Sequence, residues 1–179
     1  MIHTHRTKII YTASEQQDVP IGKHAHDNNA SISKYVREEH PTTMNQLDNW
    51  HARKKLEMSP KTISEGPKNS LCITWGEELI NKHLFRTHAY HALKNCGFDA
   101  ETLKSMLQNS IKHYKGNHAN CFPGSRCKGE SLYYESRRRR INDPLAENVL
   151  WTALEKSIII RKAELFVHKM STASAEFFQ

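Results

Sequence analysis

Apolar positions follow a helical spacing over most of this chain and favour strands at only two short places near its start. Residues 4–17 are weakly patterned and compatible with a helix. The stretch "VPIGKHAH", residues 19–26, reads as a strand that follows a Pro-containing turn and leads to Asp27. "ASISKYVREEH" then reads as a short helix with Ile32, Tyr35 and Val36 on one side, Asn28 or Asn29 as its N-cap and Pro41 as its stop. "TTMNQLDNW", residues 42–50, is a candidate second strand. "HARKKLEMSPKTISEG" starts helically and must be interrupted at Pro60, and "PKNSLCITWG" reads as a loop.

Two stronger helices follow. Phe85, His88, Ala89, Ala92, Leu93 and Cys96 form an i, i+3, i+4 stripe, with Gly97 placed to end the helix. Asp99 is placed to cap "AETLKSMLQNSIKHY", whose apolar face is Leu103, Met106, Leu107, Ile111 and Tyr114. Together they predict a helical hairpin. "GNHANCFPGSRCKGESLYYESRRRR" reads as a long loop. Asp143 and Pro144 occupy the N-cap and N1 positions of a last helix, with Ala146, Val149, Leu150, Ala153, Leu154 and Ile158 as its stripe. The pattern predicts an α/β chain that is mostly α. One or two strands do not make a stable sheet alone, so their completion by further sequence or another chain is expected.

The 179 residues suffice for one ordinary domain or part of a larger one. Hydrophobic residues make up 37%, and no apolar run reaches the length of a membrane span. The start "MIHTHRTKII" has no signal-peptide pattern, so an intracellular chain is expected. A formal net charge of +7 favours a polyanionic partner such as DNA. The four cysteines, Cys72, Cys96, Cys121 and Cys127, are then thiols or metal ligands before they are disulfides.

Asp27 has two readings. It caps the turn, as Asp often does, or it is a metal-binding acid at a strand end, where open α/β sheets place their chemistry. His118, Cys121 and Cys127 are spaced His-x2-Cys-x5-Cys, within the range of zinc ligands, and His113 or Cys96 is the candidate fourth donor. The bland alternative is buried thiols beside surface histidines. Arg137, Arg138, Arg139 and Arg140 suit DNA phosphates or nuclear import, against a solvated loop. Trp50-His51 offers a metal ligand or a strand contact, against half-buried packing.

In order, "HDNNASISKYVREEHP", "LDNWHARK", "RTHAYHALKNC", "HYKGNHANC…SRCK", Asp143-Pro144 and "SAEFFQ" resemble the transposase core of Mutator-like and related DDE elements. The resemblance runs from about Asp18 to the end. It implies an RNase H-like core interrupted by a helical insertion: 1–48 partial core, 49–142 insertion with the His/Cys cluster, and 143–179 helices returning to the core. It implies that Asp27 matches the second catalytic acid and Glu176 the third, together holding Mg or Mn for DNA cleavage and strand transfer. His51 matches the His of the family's Cys-x2-His motif, with Asp48 where the Cys stands. For the first acid, only Asp18 lies upstream, nine residues away in a turn. The chain therefore reads as a fragment, inactive alone, from a nuclear protein that binds DNA and assembles with other transposase chains. The alternative is a non-catalytic, zinc-stabilised nucleic-acid- or protein-binding module.

Overall fold

The computed structural model describes residues 2–54, 56, 84–125, 127 and 144–168. The chain divides into two compact units, one reaching to His51 and including His168, the other spanning Ala52–Val167. The described residues are mostly helical, with one small parallel sheet, so the α/β, mostly α expectation holds for them.

The first unit opens with helix α1, Ile2–Gln16. Strand β1, Lys23–His26, leads to helix α2, Ala30–Glu39, and then to strand β2, Met44–Leu47. The strands pair in parallel, Lys23 opposite Met44 through His26 opposite Leu47. Parallel strands need a crossover, and α2 supplies it. Both strands are shorter than the pattern suggested. Upstream, Asp18 takes a positive φ of 54° and Val19 is exposed. Downstream, residues 49–54 turn helical, because the Asp48 carboxylate accepts the Trp50 backbone N–H at 2.7 Å.

Asn29 is the N-cap of α2, its side chain accepting from the Ser31 and Ile32 N–H groups. The helix buries Ile32 and Val36 against Tyr11 of α1, with Ile21 and Tyr35 packed alongside. Tyr11 also stacks on His40 with ring centroids 3.9 Å apart.

In the second unit, helices α3, Leu84–Asn95, and α4, Ala100–Tyr114, form the hairpin. The reversal uses a positive φ at Gly97, which lacks the Cβ that disfavours it. Asp99 then caps α4 by accepting the Thr102 N–H at 2.6 Å. Ala89, Ala92, Leu93 and Cys96 of α3 are buried, as are Leu103, Leu107 and Ile111 of α4. Helix α5, Pro144–Lys156, starts at the proline as expected.

The last stripe does not run on as one helix. Ser157 is extended and its hydroxyl donates to the Leu154 carbonyl, competing with the helical backbone. A new short helix α6, Ile158–Arg161, and a 3-10 turn, Ala163–Leu165, follow. They bury Ile159, Ala163 and Phe166.

Candidate metal centre

His113 stands on the last turn of α4. Beyond it the chain reverses tightly: Gly116 donates to the His113 carbonyl and Asn117 to that of Lys112. Gly116 has a φ of 85°, which permits the reversal. Ala119 N–H is taken by the Asn117 side chain, and Cys121 N–H by the His118 carbonyl. Ser125 N–H goes to the Phe122 carbonyl, and Cys127 is helical. These local turns fold His118, Cys121 and Cys127 back onto His113.

The four ligand atoms lie within 4.8 Å of one another. His113 Nδ1 is 3.1 Å from His118 Nδ1, 3.3 Å from Cys121 Sγ and 3.9 Å from Cys127 Sγ. His118 Nδ1 is 3.7 Å from Cys121 Sγ. Tetrahedral zinc with ordinary bond lengths sets N···N near about 3.3 Å and N···S near about 3.6 Å. The observed edges differ from these by a few tenths of an ångström. Hydrogen bonding alone accounts poorly for the group, because one ring nitrogen carries one proton or one lone pair and here faces three partners. Both sulfurs are buried, a donor set that suits a soft or borderline cation such as zinc.

Of the two candidates for the fourth donor, His113 joins and Cys96 does not. The Cys96 sulfur is buried at the end of α3 and faces the Leu93 carbonyl. His88 stands apart as well: its Nε2 meets the Met106 carbonyl at 2.9 Å. Burial holds His88 below its ordinary pKa, and the contact with the Met106 carbonyl offsets part of that shift.

A second group lies at the ends of the two parallel strands. Asp27 follows β1, Asp48 follows β2, and His51 sits one helical turn beyond Asp48. His51 Nδ1 is 2.6 Å from Asp27 Oδ1 and 3.2 Å from Asp48 Oδ2. The three ligand atoms lie within 4.8 Å of one another. Asp48 is almost wholly buried, with 1% of its side chain exposed, against 63% for Asp27. The His51 ring meets Trp50 edge-on at 4.7 Å. His26 fixes the base of the Asp27 turn through its Nδ1, which meets the Asp27 carbonyl oxygen. The turn-cap reading of Asp27 is displaced, because Asn29 takes the cap and the Asp27 carboxylate turns to His51.

Sequence reasoning missed Asp48 as a site residue. Two signals pointed to it: it follows the second strand as Asp27 follows the first, and it lies three residues before His51. Glu176 and Arg137–Arg140 lie outside the described residues. No helix among the described residues is long and apolar enough to cross a membrane. Comparison with known protein families, with curated proteins and with solved structures finds no match for this chain.

Proposed function

We propose that this chain is a zinc-organised, DNA-handling piece of a DDE-type transposase core, with an RNase H-like β-α-β start and a helical insertion. The observation that carries the zinc part is the convergence of His113, His118, Cys121 and Cys127 on one point. Zinc there ties the end of α4 to the segment that follows it, and so organises the second unit. The DNA part is supported by the net charge of +7 and by an exposed acid at the end of a parallel strand, where such sheets carry chemistry.

In this reading Asp27 and Glu176 contribute to binding Mg or Mn. When bound, such cations supply activation of a water or 3′-OH and stabilisation of the leaving oxygen. Within the first unit, His51 orients the Asp27 carboxylate, and buried Asp48 orients His51. Arg137–Arg140 would contact phosphates. The place of action is nuclear, in assemblies with other transposase chains. Upstream of Asp27, Asp18 is the residue that would stand for the first acid in this reading.

A second reading is favoured by one observation: the sulfur-containing cluster has a full set of four donors. It makes the chain a non-catalytic, zinc-stabilised binding module. One experiment separates the two. Zinc per purified chain is measured first, and Mn titration of wild type and Asp27→Ala follows. Both readings expect one zinc. The transposase reading expects divalent-cation binding that vanishes in Asp27→Ala, and the binding-module reading expects no such loss. A chain without stoichiometric zinc overturns both.

A further inference from the structure

Beside the sulfur of Cys121 lies a polar side chain that the zinc ligands themselves do not require. Asn109 is buried on α4, and its Nδ2 donates to Cys121 Sγ at 3.5 Å. Its other amide atom, Oδ1, is buried with no hydrogen-bond partner. An orphaned buried carbonyl is costly, and an apolar residue of similar size would avoid that cost. Residue 109 also stands off the apolar stripe formed by Leu103, Leu107 and Ile111. It lies one helical turn before His113, on the same face. That face points Asn109 at the cluster rather than into the hairpin core.

We propose that Asn109 is a positioning residue of the metal centre: its amide donates to the Cys121 sulfur and so sets how tightly the centre holds zinc. This rests on the zinc reading above. Zinc takes cysteine as thiolate, which carries excess negative charge into a buried place. An N–H aimed at that sulfur spreads the charge and fixes the direction of the sulfur. Outer-shell partners of this kind commonly change metal affinity by roughly 10- to 100-fold. Among the described residues Cys127 has no such amide donor. Ser125 Oγ stands 3.1 Å from its sulfur, but the hydroxyl proton is claimed by the Phe122 carbonyl at 2.6 Å.

The test uses the full chain loaded anaerobically with Co2+, whose sulfur-to-metal charge-transfer band reports the sulfur directly. Zinc competition gives the affinity. Asn109→Leu keeps the size and removes the donor, and Asn109→Ala serves if the leucine does not fold. The expected result is a band moved to lower energy, because the sulfur becomes more electron-rich, with zinc affinity reduced roughly 10- to 100-fold. Ser125→Ala should shift either quantity less. Leu107→Ala, a core substitution on the same helix, should lower thermal stability while leaving the band in place. If wild type shows the cobalt band and the Asn109 variants keep both its energy and the affinity, Asn109 is only a packed helix residue and the proposal is overturned. If wild type takes up no cobalt or zinc, the zinc reading itself fails, and the role of Asn109 with it.

Discussion

His113, His118, Cys121 and Cys127 come from one short run of chain at the end of a single helix, while Asp27, Asp48 and His51 come from two strand ends and the helical turn beyond them. The first group is assembled by local turns and keeps its sulfurs away from water. The second is assembled by strand pairing and leaves Asp27 mostly exposed, above a buried Asp48. Closed sets of four nitrogen and sulfur donors are typical of structural zinc. Oxygen-rich sets with an exposed acid leave room for water or substrate. The contrast predicts that removing the first group costs folding and removing the second costs function.

The largest expected effect follows from the first half of that statement. Stripping zinc with a strong chelator, or replacing Cys127 with Ser, should melt the α4 end and the segment folded onto it. Structural zinc sites supply folding free energy directly, so a loss of at least about 3 kcal/mol, or roughly 10 °C in melting temperature, is expected. Circular dichroism with and without added zinc measures it. A chain equally stable in chelator would break the comparison at its base.

Core packing comes next. Leu107 is fully buried on α4. Leu107→Ala should cost about 2–5 kcal/mol in denaturant unfolding, through lost burial and the cavity left behind. The loss should persist in saturating zinc, which separates packing from metal binding.

What the sequence made legible follows from the range over which each feature is determined. The hairpin was readable because its stripe, its Gly97 reversal and its Asp99 cap all lie within neighbouring turns. The His/Cys cluster was readable as a spacing, since turns close over a few residues. The choice of His113 over Cys96 was not, because it depends on which helix end the segment folds back on. Asp48 was missed because its partnership with Asp27 exists only once β1 and β2 pair in register. The break at Ser157 was hidden because a hydroxyl in a helical stripe looks tolerable until it takes the Leu154 carbonyl.

A smaller effect distinguishes the first unit by pH. His24 is pushed down to about 4, chiefly by burial and secondarily by the nearby His26. An unfolded His24 binds its proton near pH 6.5, so the unfolded state takes up more protons between about pH 6.5 and 4. Folding stability should therefore be intact above pH 6.5 and fall as the pH drops through that window, by about 1–2 kcal/mol because the ring is only partly buried and water screens its charge. A cation held by His113, His118, Cys121 and Cys127 would be lost in the same range, because those ligands also compete with protons. The readout is thus the difference between wild type and His24→Gln, which should lose less stability on acidification. Equal pH profiles for the two would remove His24 as the cause.

The least effect on stability should fall where the largest effect on function is proposed. Asp27 is exposed, and its contact with His51 is a single polar contact open to water. Asp27→Ala should cost no more than about 1 kcal/mol. Asp48 differs although it meets the same imidazole nitrogen: it is buried and holds the Trp50 N–H as well. Asp48→Ala leaves that donor unsatisfied and should cost about 1–3 kcal/mol. The two substitutions therefore separate a carboxylate that builds the turn from one presented by it. If Asp27→Ala destabilises as much as Asp48→Ala while Mn binding is unchanged, Asp27 is part of the scaffold and the second group is structural like the first. If Asp27→Ala leaves the melting curve in place and abolishes Mn binding, the strand ends carry the chemistry and the zinc centre only supports the fold.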